Sequence, residues 1–381
     1  MGTHKNRRPR TLIIDLSVRS GGASVRGLGL MKALPAGQAA LACLEDAPVW
    51  RQASSEGLEV YTLGRHKADP RIATRLIRVV RTKGFHVLDA QNSQSKFWGS
   101  IAAQCTGAVL VSTLNSWYES EYGGTLKGRF YQMIERLTTV STGFFIVVSS
   151  EINDRLIDEG VPKEAIAFIP NAVENDLCDI NADRNWLCAT FDVPHKARVC
   201  CAVGRLVEAK GYDCLIRSIA KIKDKNLHCL IVGDGHLRPE LAALISQLGE
   251  KERIHFLGFR ERSEVLKIIK TSDIFLMPSL TEGTPIALLE AAGLSRPIVA
   301  SSVGGIPDIM THGEHALLIQ RGDEAGLADA IDKLYAQPDL ARRLGRQAHK
   351  HITQNFSLNA QAESTQYAYQ MALSRSRQGL G

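Results

Sequence analysis

Two glutamates with seven residues between them, Glu282 and Glu290, stand in the run Ser279-Leu280-Thr281-Glu282-Gly283-Thr284-Pro285-Ile286-Ala287-Leu288-Leu289-Glu290-Ala291-Ala292-Gly293. Thr281 to Thr284 read as a turn after an apolar strand ending near Met277, and Pro285 suits the first position of the helix that follows. Glu282 is then expected at the edge of a cleft. Glu290 falls among Leu288, Leu289, Ala291 and Ala292, so a buried carboxylate there must find hydrogen-bond donors such as ribose hydroxyls. The amides of Gly283, Thr284 and Ile286 are expected to point toward the same space. The plainer alternative is a helix-start glutamate followed by a second, solvated one.

A second segment, Gly204-Arg205-Leu206-Val207-Glu208-Ala209-Lys210-Gly211, follows the apolar run 198–203 and precedes a helical pattern. In an open parallel sheet, ligands sit beyond the carboxyl ends of strands, where a helix N-terminus offers free amides to an anion. Arg205 can grip phosphate oxygens bidentately and Lys210 adds a compact charge, so the pair could neutralise a diphosphate without a metal. An Arg and a Lys flanking an ordinary surface turn would look the same.

The elements that must position these residues repeat as βα units. Strands are predicted at 11–16, near 40 and 59, and at 85–89, 108–112 and 143–148. Helices are predicted from the Gly21-Gly22 loop to about 34, and at 71–83, 95–105 and 124–139, with another capped by Ser149 or Ser150. The alternation pauses in the polar stretch NDLCDINADRN, so an interdomain linker is expected over 174–196. It restarts with strands at 198–203, 228–232, 254–257, 273–277, 297–300 and 316–319, separated by helices at 211–223, 236–249, 261–270, 285–294 and 323–336. Two Rossmann-like parallel sheets follow, in keeping with a chain of 381 residues, more than one hydrophobic core usually organises. The stretch from Phe356 to about Ser374 reads as helical, and the basic N-terminal tail and the SRSRQGLG tail as disordered.

A hydrophobic content of 44% supports a globular chain, and no run approaches the roughly 20 apolar residues that a membrane span needs. The short apolar run before Asp15 is too brief for a signal-peptide core, so the cytoplasm is the expected location. The eight cysteines show no Cys-x-x-Cys spacing and read as reduced core residues, without a metal or disulfide role. The net charge of +6 is uneven: residues 1–100 hold 16 Lys and Arg against 7 Asp and Glu. Arg71, Arg75, Arg78 and Arg81 recur at helical spacing opposite Ile72, Leu76, Val79 and Val80. That stripe is either a solvated outer face or a contact for an anionic acceptor or for anionic lipid, which would place the protein peripherally on the inner face of the plasma membrane. Nucleic acid is not expected, since aromatic stacking residues and reader motifs are missing from the stripe.

Five stretches, taken in order, resemble the retaining glycosyltransferases of family four, which have the GT-B fold. They are the Gly21-Gly22 loop, Val148-Ser149-Ser150 leading to Ile169-Pro170-Asn171, Gly204-Arg205 with Lys210-Gly211, Val232-Gly233-Asp234-Gly235, and Glu282-Gly283 through Glu290 to Pro297 and Val303-Gly304-Gly305-Ile306-Pro307. The resemblance implies two Rossmann-like domains facing across a cleft. Residues 1–173 would bind the acceptor and 197–355 the nucleotide sugar, while 356–381 would form a C-terminal helix crossing back onto the N-domain, and a tail. Arg205 and Lys210 would hold the diphosphate, with Gly204 beside them. Glu290 would hold the ribose, and Glu282 the transferred sugar. Gly21 and Gly22 would let their loop close on phosphate and sugar, and Phe259 and Arg260 would border the base. The family's Thr-x-His is Thr113-Leu114-Asn115 here, so Asn115 stands where a sugar-contacting His is usual, and Asn can still donate and accept.

The implied reaction is transfer of a hexosyl unit from a UDP-sugar or GDP-sugar to a glycan or lipid-linked acceptor, with retention, as in cell-surface polysaccharide assembly. No cofactor and no metal are expected, since the chain has no Asp-x-Asp pair. Two rivals share the scaffold: a sugar-nucleotide epimerase or phosphorylase, and a nucleotide-sugar-binding scaffold without turnover. A phosphorylase would carry a lysine-bound pyridoxal phosphate, visible as absorbance.

Overall fold

The computed structural model describes residues 9–19, 21–117, 133, 138–139, 141–174, 177 and 180–379. The chain divides into two compact units, Met1–Ala172 with Leu358–Gly381, and Val173–Ser357.

The N-terminal unit is a seven-stranded parallel sheet in the order β3-β2-β1-β4-β5-β6-β7. Its strands are β1 (Thr11–Asp15), β2 (Ala39–Cys43), β3 (Val60–Thr62), β4 (Val87–Ala90), β5 (Val109–Leu114), β6 (Phe144–Val147) and β7 (Ile166–Phe168). β1 pairs Thr11 with Ala39 on one side and with Val87 on the other, and all five of its residues are buried. Helices cover both faces of such a sheet, so its inner strands read as continuous apolar runs rather than as alternation.

Local chemistry sets the helix ends. Asn92 caps Ser93–Thr106 by accepting from the Ser95 amide at 2.9 Å. Arg71–Lys83 ends at Gly84, whose φ of 68° only glycine adopts without strain. Ile72, Leu76 and Val80 form the buried side of that helix. The arginine stripe is largely engaged locally: Arg71 and Arg75 pair with Asp69, and Arg81 donates to the Cys105 carbonyl at 2.7 Å. The last helix, Leu358–Arg377, also belongs to this unit, with Leu358 against Gly29 and the Gln361 amide donating to the Pro170 carbonyl at 2.9 Å.

The C-terminal unit is a six-stranded parallel sheet in the order β10-β9-β8-β11-β12-β13. The strands are β8 (Arg198–Val203), β9 (Leu227–Val232), β10 (Ile254–Gly258), β11 (Ile274–Met277), β12 (Ile298–Ser301) and β13 (Leu317–Ile319). The order runs outward in both directions from the pair β8 and β11, which makes their carboxyl ends a topological switch point. Cys200 lies in the core on one face of β8 and Cys201 in the core on the other, as the two-residue period of a strand requires. Burial pushes the Cys201 thiol up to about 12. Among the described residues, no group of three His, Cys, Asp or Glu could hold a metal ion.

Several sequence expectations differ from this architecture. The stretch expected as a linker carries the helix Arg184–Phe191, and Leu177, Leu187, Cys188 and Val193 pack in the core of the C-terminal unit. Its polar residues conceal an apolar set too sparse to read as a period. Pro285 is the residue before the helix Ile286–Gly293, not its first, with ψ at 118°. The last helix continues through Ser374 to Arg377, beyond the expected start of a disordered tail. The helices Pro48–Ser55 and Pro338–Asn355 and the short β7 were not foreseen. The expected helix at 124–139 and the basic tail up to Arg8 lie for the most part outside the described residues, as does Cys178. No described helix is long and apolar enough to cross a membrane.

Candidate functional site

At the switch point of the C-terminal unit, the loop after β8 and the loop after β11 are laced together. The Leu280 amide donates to the Ala209 carbonyl at 2.8 Å, which fixes the two loops side by side. Gly211 allows this approach: its φ is +61°, and a Cβ there would stand 2.2 Å from the Pro278 carbonyl oxygen. Lys210 Nζ and Glu282 Oε1 then meet at 2.5 Å. Ser279, 1% exposed, donates its hydroxyl to the same oxygen at 2.7 Å. The Glu282 side chain is 7% exposed and that of Lys210 20%, so the pair sits at the margin of the protein, with the cation on the open side. Tyr212 lies beneath, its hydroxyl 3.0 Å from where a Gly204 Cβ would be. Burial, and then the Glu282 charge, pushes its phenol well above the usual range, so Tyr212 is a neutral hydrogen-bonding group here.

The remaining loops close the floor. Gly304 has φ +54° with its would-be Cβ 1.8 Å from the Glu282 carbonyl, and the Gly305 amide donates to the Gly283 carbonyl at 3.0 Å. The Gly204 amide donates to the Val232 carbonyl at 3.0 Å, and Gly233, at φ +133°, leaves only 2.0 Å for a Cβ before the Gly204 oxygen. Thr284 is 3% exposed, and Ile286 opens the helix that carries Glu290. Arg205 is exposed on the same β8 loop.

Glu290 is 4% exposed, yet its donor is a protein side chain: Arg262 Nε reaches Glu290 Oε1 at 2.8 Å. The donors that a buried Glu290 requires therefore include a protein side chain, since an arginine 28 residues away occupies one oxygen. Burial raises the Glu290 carboxyl and the Arg262 charge opposes the rise. Phe259, at 62% exposure, is available as an apolar surface after β10. Arg260, with its side chain 35% exposed, donates to the Leu257 carbonyl at 3.0 Å and to Glu264 at 3.2 Å, and lies over the Phe191 ring.

Gly21, Gly22 and Asn115 belong to the N-terminal unit. Gly21 precedes the helix Gly22–Ala33 with an extended φ of −164° and open space where a Cβ would go, so neither strain nor crowding demands glycine there. Asn115 follows β5, its amide reaching the Gln91 carbonyl at 3.3 Å. Among the described residues, three buried atoms at this strand end have no hydrogen-bond partner: Asn115 Oδ1, Gln91 Nε2 and Ser93 Oγ. Such atoms are rare in folded proteins and mark unmet hydrogen-bonding capacity.

Sequence reasoning missed Ser279, Tyr212, Gly304 and Arg262 as parts of the site. Ser279 had a usable signal, its three-residue spacing from Glu282 across a turn. Arg262 had none, since nothing local links it to Glu290.

With the geometry in view, comparison with known proteins is direct. Residues 189–351 match the model of the glycosyl transferases group 1 family, and residues 21–172 that of the glycosyl transferase 4-like domain. An uncharacterized glycosyltransferase of Methanocaldococcus jannaschii is 27% identical over 298 residues, 76% of each chain. The lipopolysaccharide core biosynthesis glycosyltransferase LpsE of Rhizobium meliloti is 31% identical over 172 residues, and the match spans 45% of this chain and 49% of that relative. The crystal structure of Anabaena HepE in complex with UDP-glucose has the same fold, with a TM-score of 0.82 at 20% identity, covering 94% of this chain and 99% of that one. The two parallel Rossmann-like sheets are thus those of the GT-B class, and with one family model on each half the protein belongs to the group 1, family-four-like glycosyltransferases.

Proposed function

We propose that this glycosyltransferase moves a hexosyl unit from a UDP-sugar or GDP-sugar to a glycan or lipid-linked acceptor, with retention of anomeric configuration and without a metal. The observation that carries the reading is the Lys210–Glu282 pair at 2.5 Å, held at the switch point by Ser279, in a chain of this family. HepE, a structural neighbour, is named in complex with UDP-glucose, and LpsE is named for lipopolysaccharide core biosynthesis. These names support a nucleotide-sugar donor and a cell-surface glycan acceptor.

In the proposed reaction the bond from the anomeric carbon to the diphosphate oxygen breaks, and the electron pair leaves with the diphosphate. Arg205 and Lys210 offset the charge that develops on that leaving group, which is electrostatic catalysis by preorganised donors. The acceptor hydroxyl attacks the anomeric carbon from the face of departure, and its proton passes to a diphosphate oxygen. Glu282, fixed through Oε1 by Lys210 and Ser279, orients the sugar with its other oxygen. The unpaired groups of Asn115, Gln91 and Ser93 suit sugar hydroxyls, which both donate and accept.

Thermal unfolding with UDP, GDP, ADP and CMP, first in EDTA and then in Mg²⁺, tests the donor site. A ligand at about 100 times its dissociation constant adds roughly 2.7 kcal/mol to stability. Stabilisation by one diphosphate, unchanged by EDTA and lost in Arg205→Ala, is the expected result. No response to any nucleotide overturns the reading. NMR of the product's anomeric proton tests retention.

A further inference from the structure

Arg262 is the first residue of the helix Arg262–Thr271, and its guanidinium joins two carboxylates from distant stretches of chain. Nε donates to Glu290 Oε1 and NH1 to Glu174 Oε2, both at 2.8 Å. Glu290 is carried by the helix Ile286–Gly293, and Glu174 is the second residue of the C-terminal unit. The side chains of Arg262 and Glu174 are 29% and 33% exposed, while that of Glu290 is 6% exposed. The triad is therefore inside at one end and solvated at the other. A planar guanidinium fixed at two corners by carboxylates cannot rotate freely, so Glu290 is held in one orientation.

We infer that Arg262 is a positioning residue of the nucleotide site: its cation, bonded to Glu290 Oε1, holds that carboxylate so that the second oxygen receives the hydroxyls of a ribose, and Glu174 fixes the plane of the guanidinium. This rests on the donor reading above.

A structural role alone would make Arg262 important for stability and irrelevant to ribose chemistry. The charge role predicts more. Without the cation, burial pushes the Glu290 carboxyl up unopposed, and a protonated acid both donates and accepts, so it distinguishes hydroxyl from hydrogen poorly.

The test is calorimetric binding of the stabilising nucleoside diphosphate and of its 2′-deoxy and 3′-deoxy analogues, from pH 5.5 to 8.5, with wild type, Arg262→Met and Arg262→Lys. Wild type is expected to bind with little pH dependence above pH 6.5 and to lose at least tenfold in affinity with one deoxy analogue. Arg262→Met is expected to bind more tightly as pH rises, with at least a fivefold change across the range, and to lose most of the discrimination. Arg262→Lys, which keeps the charge but not the fork, is expected to keep the flat profile with weaker discrimination, and decides the question if the Met variant does not fold. Identical pH profiles and deoxy ratios in all three proteins would overturn the inference. Absence of diphosphate binding by wild type would instead remove the donor site itself, and this inference with it.

Discussion

The hydroxyl of Tyr369 donates to Asp89 Oδ2 at 2.6 Å, joining the last helix to the central strand β4 of the N-terminal sheet across 280 positions of sequence. Both residues are 1% exposed, and Thr113 donates to the other oxygen at 2.6 Å. Burial raises the Asp89 carboxyl, and the Thr113 and Tyr369 hydrogen bonds oppose that rise. Tyr369→Phe removes a donor to a buried carboxylate, a loss of about 2 kcal/mol. The donor favours the ionised form. The loss should therefore be largest at pH 8 and shrink as pH falls through the raised Asp89 value. Urea unfolding of the two proteins at pH 8 and pH 5 measures this, and an equal difference at both would show that Asp89 does not ionise.

Lys210→Ala should lower kcat/KM by about 10² to 10³, in the range seen when one preorganised donor to a developing anion is lost. It should also destabilise the fold, because Glu282, 7% exposed, loses its charge partner. The double variant Lys210→Ala/Glu282→Gln is expected to recover most of the stability and none of the activity. Steady-state kinetics beside thermal melts separate the two effects, and recovery of activity in the double variant would mean that Lys210 serves only to neutralise Glu282.

Two glycines with positive φ should respond differently to alanine. At Gly249 nothing lies within 4 Å of a new Cβ, so Gly249→Ala adds backbone strain of about 1 kcal/mol. At Gly304 the Cβ would lie 1.8 Å from the Glu282 backbone oxygen, and the site loop must move. Gly304→Ala is expected to lose nucleotide binding as well as more than about 2 kcal/mol of stability. Equal melting shifts with binding retained in both variants would show that the loop yields without consequence.

His228 and His255 stack with centroids 5.3 Å apart, and Nδ1 of the first lies 3.0 Å from Nε2 of the second. One ring must accept, so at least one is neutral. Burial lowers both from 6.5, with the neighbouring ring adding to the effect at His228. A lowered histidine makes the unfolded chain bind protons more readily, so stability is full above pH 6.5 and declines as pH falls below it. His255→Gln should flatten that decline between pH 7 and pH 5, as followed by denaturant midpoints. An unchanged slope would place the acid sensitivity elsewhere.

Much of the fold was legible in the sequence because a parallel sheet needs strands that are apolar on both faces. Runs such as Arg198–Val203 and helices such as Arg71–Lys83 announce themselves by composition and period. That Glu282 stands in the turn after β11 and Glu290 in the helix beyond it was legible too, since both lie on one strand-turn-helix unit. Lys210 was readable as a site residue, but its bond to Glu282 was not. That bond depends on β8 and β11 being neighbours, and adjacency of strands comes from sheet order rather than from spacing along the chain. The same reason hid Arg262 from Glu290, Tyr369 from Asp89, and the core residues Leu177 and Leu187 in a stretch that reads as a polar linker. Local periodicity fixes which residues face inward. Only the tertiary structure decides which buried charge meets which partner, because a long-range contact leaves no period in the sequence.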